Sequence, residues 1–393
     1  MKRVLIVYHK MIVGGSTTSL LSLLSEIDYS KYKVDLLLLY KGGALEGQIP
    51  SKVNVLKYGY YIQNPLLLKL YKLTNPKYLI NKIKSKLIAR KYHNSRASYQ
   101  YMSYLNLEPY RQIKDEYDVA VGYLEGYCNN YVAKCVNSKK KIAWIHINYE
   151  DCNLIPEFDM ESFSIVDNIV AVSEECKKAL QRKFPEYYNK IVSIDNILSK
   201  KRLVELSREK IDISVDKSKI NLVSSCRIDF SSKGLDRAVK QIKKLIDDNV
   251  KNIDKLRWYI IGDGNNYNQL AQMIKTYGLS EHVILIGNKI NPYPYIVKMS
   301  LFFQPSIFEG KPMAVTEGQI LGLPTLATNY SSAHEQITDG FDGKVVENSE
   351  EGVYSGLKYI LENEHLIEIW KNNMNLKDYS NIEEIDKFVR IIE

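Results

Sequence analysis

The sequence predicts a two-domain α/β protein in which each domain is a doubly wound, mostly parallel sheet. Apolar runs of strand length alternate with helical segments, a pattern typical of parallel strands joined by crossovers. A polar, charged stretch at 200–219 interrupts this pattern, which then starts again. The 393 residues are enough for two domains with separate cores. We therefore expect one domain over 1–199, a second over 200–375, and a final helix within 376–393 that packs back on the first domain.

Composition and the N-terminus indicate the cellular setting. The segment MKRVLIVYHK resembles a first strand more than a signal peptide, and no apolar run reaches the about 18 residues of a transmembrane helix. The five cysteines are odd in number and form no C-x-x-C pair, which favours a reducing cytosol over a disulfide framework or a zinc site. The net charge of +8 indicates an anionic partner without identifying it.

The first half begins with a strand at Arg3–Tyr8, a loop, and a helix at Leu20–Ile27. Gly14 and Gly15 in that loop would let the backbone approach a ligand closely, although turn glycines of this kind are common. Their spacing is not the G-x-G-x-x-G of dinucleotide-binding proteins. Further strands are expected at Lys33–Tyr40 and Val53–Lys57, and within 117–123, 139–150, 167–180 and 190–200.

His146 comes at the end of the strand predicted within 139–150. Polar residues at the carboxyl ends of parallel strands line the ligand cleft of open α/β sheets. A single histidine in a strand is also commonly structural. The sequence therefore leaves a site role and a structural role open for His146.

Residues 58–114 interrupt the strand–helix alternation with a basic, tyrosine-rich insert. Positions 51–114 hold thirteen Lys or Arg residues and one acidic residue, and the apolar residues from Leu70 to Leu87 have helical spacing. Basic amphipathic helices with aromatic residues bind anionic membrane surfaces. A helix pair packed on the domain with a solvated basic face, or a nucleic-acid-binding surface, would give a similar pattern.

The most informative stretch of the second half is 301–328, which predicts a strand, a tight loop, a helix over Met313–Leu321 and another strand. Pro312 suits the start of that helix, whose free N–H groups and positive dipole end would attract an anion. Glu309 and Glu317, eight residues apart, stand on either side of this site and could bind sugar hydroxyl groups. Taken alone, the stretch also fits an ordinary βαβ unit with two solvated glutamates.

Two cations flank another strand–helix loop of the second half. Arg227 offers a planar fork for phosphate oxygens, and Lys233, six residues on, offers a mobile point charge. Together with the helix N-terminus at Pro312 they would surround a diphosphate. Without that helix they would be ordinary surface residues.

In combination these motifs resemble the retaining glycosyltransferases of family 4, two-domain enzymes of the GT-B fold, and in particular those of bacterial capsule and exopolysaccharide biosynthesis. The resemblance covers most of the chain and is strongest from 220 to 345. It is carried by the segments CRIDFSSKGLDRAV, YIIGDGNNYNQL, VILIGN, the Glu309–Glu317 pair, LGLPTLAT and HEQITDGFDG, and less specifically by GGSTTSLLSLL, KKKIAWIH, VAVSEECKKAL and VSIDNI.

The resemblance implies two Rossmann-like domains facing across a cleft and a role for each motif. Arg227 and Lys233 would bind the diphosphate of the donor, Glu317 its ribose, and Glu309 the hydroxyls of its sugar. His146 would touch that sugar from the opposite domain, which makes His146, Glu309, Arg227 and Lys233 the catalytic set. The remaining donor-binding residues would be Gly310, Lys311, Pro312, Met313 and Ala314, then Gly287, Asn288, Lys289 and Ile290 beside the nucleobase, and Gly14 and Gly15 beside the phosphates.

The implied activity is metal-free transfer of a sugar from a UDP- or GDP-sugar to a saccharide acceptor, with retention of the anomeric configuration. The basic insert suggests a lipid-linked acceptor and a location at the inner face of the cell membrane. Two departures from the usual family pattern, Lys311 after the first carboxylate motif and Gly318 after the second, leave the donor sugar open. The alternatives are another enzyme on the same fold, such as an epimerase or a phosphorylase, a non-catalytic partner subunit acting as a membrane scaffold, or, less in keeping with the motifs, a nucleic-acid-binding protein.

Overall fold

The structure, a computed structural model, describes residues 1–56, 65–93, 95–105, 107, 113–152 and 154–393. Residues 58–64, 94, 106 and 108–112 of the predicted insert lie outside the described residues, as does Lys57 at the end of the third predicted strand. The described chain divides into two compact units. Unit 1 comprises Met1–Leu198 and Asn381–Glu393, and unit 2 comprises Ser199–Ser380.

Within its described residues, unit 1 contains a seven-stranded parallel sheet in the order β3-β2-β1-β4-β5-β6-β7. The strands are β1 Lys2–Tyr8, β2 Tyr32–Leu38, β3 Asn54–Val55, β4 Ile113–Gly122, β5 Val136–Ile145, β6 Asn168–Ala171 and β7 Ile191–Ser193. Val4 of the central strand β1 pairs with Val34 on one side and Val119 on the other. Because β1 is covered on both faces, its apolar residues from Val4 to Val7 are all buried.

The helices of unit 1 follow its strands as crossovers, apart from the insert. They are α1 Gly15–Glu26, α2 Pro65–Thr74, α3 Pro76–Lys91, α4 Ser95–Leu105, α5 Tyr127–Cys135, α6 Met160–Ile165 and α7 Glu174–Lys183. Helix α1 begins five residues before the predicted start, because Ser16 and Thr17 lie in its first turn and bond the Tyr8 hydroxyl at 2.8 and 3.0 Å.

The insert helices α2 and α3 direct apolar side chains into solvent. Seven of these side chains are at least half exposed, namely Leu66, Leu67, Leu70, Leu73, Ile80, Ile83 and Leu87. The buried positions of α3 are instead polar, Asn81 and Ser85. The alternative of a helix pair packed on the domain with a solvated basic face is therefore not favoured for α2 and α3, whose solvated surface is apolar as well as basic.

Unit 2 contains a second parallel sheet, with six strands among its described residues, in the order β10-β9-β8-β11-β12-β13. The strands are β8 Ile220–Ser225, β9 Leu256–Ile261, β10 Val283–Gly287, β11 Leu301–Gln304, β12 Thr325–Thr328 and β13 Gly343–Val346. The last strand was not predicted, because the four-residue segment GKVV lies in a stretch rich in glycine and charge.

The helices of unit 2 cover both faces of this sheet. They are α8 Lys200–Leu206, α9 Phe230–Lys233, α10 Leu235–Asp247, α11 Tyr267–Thr276, α12 Tyr293–Ile296, α13 Met313–Ile320, α14 Ala333–Gln336, α15 Glu350–Glu362 and α16 His365–Met374. The stretch at 200–219, expected to be a polar boundary, contains α8, whose Leu203 is fully buried.

The C-terminal helix α17, Glu384–Ile392, belongs to unit 1. Phe388 and Ile392 are buried in the unit 1 core, where the Phe388 ring lies 5.9 Å from the Trp144 ring, centroid to centroid. Among the described residues, no helix has the length and apolar character that a membrane span requires.

Candidate active site

The strand order of unit 2 reverses between β8 and β11, which places a ligand-binding crevice at their carboxyl ends. The loop after β8 carries Arg227, and the loop after β11 carries Glu309 and Lys311. The side chains predicted to bind a nucleotide diphosphate thus follow the two strands at the reversal.

Lys233 and Glu309 meet directly in this crevice. Lys233 is the last residue of α9, and its Nζ donates a hydrogen bond to Glu309 Oε1. The helix ends at Gly234, which has a positive φ of 59°, and a Cβ there would lie 2.4 Å from the Pro305 carbonyl oxygen. Glycine is therefore required for α9 to end against the β11 loop and bring Lys233 to Glu309.

Glu309 is held by neutral donors as well as by Lys233. Gln304 Nε2 and the Ser306 hydroxyl donate to Glu309 Oε1 at 2.8 and 2.7 Å, and only 8% of Glu309 is exposed. A buried carboxylate is stable when it is both paired and hydrogen-bonded. The sequence identified Glu309 and Lys233 but assigned them to different parts of the donor, and it did not identify Gln304 or Ser306.

The backbone of the β11–α13 loop is anchored from both sides. The buried Arg237 of α10 donates to the Pro305 carbonyl at 2.9 Å and to the Ser306 carbonyl at 3.0 Å. The Ser331 hydroxyl donates to the Glu309 carbonyl at 2.8 Å, and the Ser332 hydroxyl donates to the Gly310 carbonyl. These bonds hold the loop in one conformation, and they were not predictable because they join segments distant in the chain.

Arg227 is an exposed cation of the site, with 71% of its side chain accessible. Its Nη2 lies 3.4 Å from Asp229 Oδ2, a long contact, so solvent surrounds most of the guanidinium. An exposed pair of this kind contributes little stability, which leaves the Arg227 fork available to an anionic ligand.

Glu317 lies one turn into α13 and is buried. Tyr293 donates a hydrogen bond from its hydroxyl to Glu317 Oε1 at 3.3 Å. Burial raises the pKa of Glu317 to about 7, and the Tyr293 hydrogen bond and the positive charge of Arg202 oppose this rise. The neighbouring Gly318, a departure from the family pattern, lets α13 approach β11, since a Cβ there would lie 2.7 Å from the Phe302 ring.

The N-terminus of α13 has no side-chain cap, and Pro312 is its N-cap residue. Gly310 and Lys311 are exposed, and Met313 and Ala314 are half-buried. The free N–H groups of this first turn therefore adjoin exposed chain, as an anion site at a helix N-terminus requires.

The segment expected beside the nucleobase follows β10, at the edge of the sheet. Gly287 has a positive φ of 77°, and Asn288 and Ile290 are exposed. Lys289 Nζ bonds Asp212 Oδ2 at 2.9 Å, and Tyr295 and Lys289 together lower the pKa of Asp212 to about 2. The Asp212 carboxylate thus fixes one end of this segment.

In unit 1, Gly14 and Gly15 are exposed at the start of α1. Gly14 has an extended backbone, with a φ of 165°, and a Cβ there would meet nothing within 4 Å. Neither conformation nor packing requires glycine at position 14. A ligand that approaches the uncapped end of α1 would explain the glycine at position 14.

His146 follows β5 directly and packs between aromatic rings. Its ring centroid lies 5.1 Å from that of Tyr123 and 6.2 Å from that of Trp144. Both ring nitrogens are shielded from solvent and make no hydrogen bond of good geometry within the described structure. Burial lowers the pKa of His146 to about 4, partly offset by the side chain of Asn196 and the backbone of Tyr123, so the ring is neutral at pH 7.

Glu125, in the loop after β4, is a site candidate that the sequence analysis missed. Its Oε2 accepts a hydrogen bond from the backbone N–H of His146 at 3.0 Å. Burial raises the pKa of Glu125, and bonds from backbone N–H groups and the charge of Arg96 oppose this rise. The sequence signal for Glu125 was its position just before Gly126 and shortly after an apolar strand. This signal is weak when the order of the strands in the sheet is unknown.

Two doubly wound parallel units of this kind define the GT-B class of protein. The chain is similar to the HepE protein of Anabaena in complex with UDP and glucose, with 13% identity, a TM-score of 0.68 and 99% of both chains covered. The predicted GT-B fold is therefore confirmed.

Sequence comparisons add a similarity in the second half of the chain. Residues 183–377 match the family described as glycosyl transferases group 1. Just under half of the chain is thus similar to glycosyl transferases group 1, and the whole chain has a GT-B fold, which agrees with the resemblance at this coarser level. Membership of family 4 stays a prediction.

Two curated relatives are similar over shorter stretches. A Campylobacter jejuni N-acetylgalactosamine-N,N'-diacetylbacillosaminyl-diphospho-undecaprenol 4-alpha-N-acetylgalactosaminyltransferase is 34% identical over 119 residues, which are 30% of this chain and 33% of that protein. An Escherichia coli UDP-Gal:alpha-D-GlcNAc-diphosphoundecaprenol alpha-1,3-galactosyltransferase is 29% identical over 150 residues, 37% of this chain and 38% of that protein. The chain spans about half the length, or less, of curated relatives such as these.

Proposed function

We propose that this protein is a retaining glycosyltransferase that moves a sugar from a nucleotide diphosphate sugar to a saccharide acceptor, without a metal ion. The observation that carries the proposal is the convergence of Lys233, Glu309 and the α13 N-terminus at the reversal of the unit 2 sheet. This arrangement offers fixed positive groups to a departing nucleotide diphosphate, and such preorganised charge is a large source of catalysis.

The roles follow from the chemistry of each group. Arg227 and Lys233 neutralise the diphosphate, and Glu317 accepts hydrogen bonds from the ribose hydroxyls. Glu309, held by Gln304 and Ser306, accepts hydrogen bonds from the transferred sugar, and we assign the neutral ring of His146 to contacts with a sugar substrate. The segment from Gly287 to Ile290 borders the nucleobase.

We further propose a lipid-linked saccharide acceptor in bacterial capsule, exopolysaccharide or cell-wall glycan synthesis, and UDP as the nucleotide. In support, the Campylobacter and Escherichia coli relatives carry diphosphoundecaprenol saccharides in their names, and the second also carries UDP-Gal. The insert gives independent support, because exposed apolar side chains of α2 and α3 alternate with exposed lysines such as Lys69, Lys82 and Lys86. Such a surface complements an anionic bilayer, so the protein would act at the inner face of the cell membrane.

The proposed reaction is tested by incubating the protein with UDP-sugars and N-acetylglucosaminyl diphosphoundecaprenol in the presence of a chelator. We expect release of UDP and a product whose anomeric configuration, read by NMR coupling constants, matches that of the donor. An inverted product would contradict the retaining mechanism, and the absence of nucleotide release with any UDP-sugar would contradict the donor assignment.

The membrane claim has a separate test in a flotation assay with liposomes. The wild type should float with liposomes that contain phosphatidylglycerol, and a Leu70→Ser, Leu73→Ser, Ile83→Ser variant should not. The matched control replaces three exposed residues that are distant from the insert in sequence, by Ile369→Ser, Leu376→Ser and Ile382→Ser. Equal flotation of the wild type and the insert variant would refute this role of the insert.

A further inference from the structure

The unit 1 sheet has a strand-order reversal of its own, between β1 and β4. The loops after these two strands flank the crevice at the carboxyl ends, where open α/β sheets bind ligands. Glu125 stands in the loop after β4, three residues beyond Gly122. It therefore has the same relation to its sheet that Glu309 has to the unit 2 sheet, where the carboxylate follows the strand beside the reversal.

The Glu125 carboxylate is fixed in position but only half used. Oε2 accepts the His146 backbone N–H, whereas no other described residue donates a hydrogen bond of good geometry to Oε1. The residue as a whole is half-buried. A partly desolvated carboxylate oxygen without a donor is unfavourable, so a ligand donor at Oε1 would gain a strong hydrogen bond.

Helix α4 of the insert forms the wall next to Glu125. Gly126 has a positive φ of 78°, and a Cβ there would lie 2.8 Å from the Tyr99 ring. The positive charge of Arg96, also on α4, lies close enough to lower the pKa of Glu125. Glu125 thus borders α4. The two preceding helices of the insert, α2 and α3, present the apolar, basic surface.

The chemistry of this position favours hydroxyl groups over phosphate. A carboxylate repels a phosphate group but accepts hydrogen bonds from sugar hydroxyls, and the nearby His146 ring is neutral at pH 7. A donor diphosphate would find no such repulsion at Arg227 and Lys233. The ligand that suits Glu125 is therefore the neutral, hydroxyl-rich part of a substrate that arrives from the side of the insert.

We propose that Glu125 binds a hydroxyl group of the acceptor's terminal sugar through Oε1, as a binding residue of unit 1 that no known motif identifies. This inference rests on the proposed glycosyltransferase function. No proton is transferred in this step, since the carboxylate only accepts a hydrogen bond and orients the hydroxyl.

The test uses saturation-transfer NMR with free N-acetylglucosamine and free galactose as acceptor probes. The donor site is first filled with UDP-2-deoxy-2-fluoroglucose, so that a probe reports the acceptor position. Glu125→Gln keeps the shape and the bond to His146 but removes the charge, and Glu116→Gln, which changes an exposed carboxylate on the preceding strand β4, is the matched control. Should the Gln variant fail to fold, Glu125→Asp withdraws the carboxylate by one methylene and serves the same comparison.

At least one probe should bind the wild type and the Glu116 variant, and its affinity should fall by about tenfold or more in the Glu125 variant, the loss expected for one hydrogen bond to a charged group. The affinity for UDP, measured by calorimetry, should stay the same in all three proteins. Equal probe binding by the wild type and the Glu125 variant, or no probe binding by the wild type, would overturn the inference. Failure of the wild type to bind UDP would instead contradict the proposed function.

Discussion

Glu317 is the titrating residue with the clearest functional consequence. Its folded-state pKa of about 7 lies above the ordinary value of 4.5 because the carboxyl group is buried. A raised carboxyl pKa means that the folded protein binds this proton more tightly than the unfolded chain does. The free energy of unfolding contributed by Glu317 is therefore largest below pH 4.5 and falls as the pH rises from 4.5 to about 7.

Nucleotide binding should depend on pH in the opposite direction. Only the charged carboxylate accepts two ribose hydrogen bonds, so the affinity for UDP-glucose should increase as the pH rises through about 7. Calorimetric titrations on either side of this pH measure the effect, and this ligand has no phosphate monoester that would titrate in the same range. The Glu317→Gln variant should bind weakly at every pH. A wild-type affinity independent of pH would argue against the assigned role.

Lys233 is expected to contribute directly to nucleotide affinity, beyond any effect on the free energy of unfolding. In Lys233→Met the affinity for UDP should fall by about 1.5–3 kcal/mol, the value of a hydrogen bond to a charged group. The exposed Lys240→Met change on α10 is the control, since Lys240 lies 4.0 Å from Glu350 and outside the crevice. Calorimetry measures both variants, and equal affinities would refute the diphosphate role of Lys233.

At the scale of elements, the β11–α13 loop shows what sequence could and could not predict. The alternation of apolar runs and helices predicted α13 to within one residue and a strand on either side of it, where β11 and β12 are found. The two carboxylates stood out because of their spacing around a helix start. The hydrogen bonds of Arg237 and Ser331 to the loop backbone join residues 68 and 22 positions apart, and no local pattern encodes such contacts.

Arg237 should therefore be a positioning residue for this loop. Arg237→Met removes the side-chain donor to the Pro305 carbonyl and one of the donors to the Ser306 carbonyl, which Thr328 also bonds, so we expect a loss of about 1–3 kcal/mol in the free energy of unfolding and weaker UDP binding. Arg237→Lys should recover part of the affinity because it restores one donor. Urea unfolding and calorimetry measure the two quantities.

The control for Arg237 is Arg257→Met. Arg257 also bonds backbone carbonyls, those of Asp254 and Leu256, but it lies at the start of β9, away from the crevice at the carboxyl ends of the strands. This variant should keep wild-type UDP affinity. An Arg237→Met protein with unchanged affinity would show that the loop holds its conformation without this anchor.

The insert shows a different limit of sequence reasoning. The helical spacing from Leu70 to Leu87 predicted helices, and α2 and α3 are present. The same spacing could not reveal which face is buried, because amphipathic helices usually pack their apolar side on a core. Here the buried positions of α3 are Asn81 and Ser85, so the orientation depends on tertiary contacts.

For the whole molecule, α17 connects the end of the chain to the N-terminal unit. Phe388 is fully buried against Trp144, so Phe388→Ala should lower the free energy of unfolding by about 3–5 kcal/mol. Leu376, which is 80% exposed, should tolerate the same change with little effect. Urea unfolding compares the two variants, and a Phe388→Ala protein as stable as the wild type would contradict the packing described for α17.

The double-wound architecture was predictable because two long series of strand and helix signals are separated by a charged stretch. Strand order was not, and strand order is what identifies Glu125 as a counterpart of Glu309. In the sequence, Glu125 is one of 46 acidic residues and carries no motif. Only the reversal between β1 and β4, together with the contact to His146, singles it out.

The proposed function requires that unit 2 binds a nucleotide diphosphate through Arg227 and Lys233. Calorimetric titration of the purified protein with UDP, GDP and ADP, in the presence of a chelator, tests it most directly, with Arg227→Ala as the comparison. We expect that one nucleotide binds without metal and that this affinity is lost or greatly reduced in the variant. Binding that is equal in the variant, or no binding of any of the three nucleotides, would contradict it.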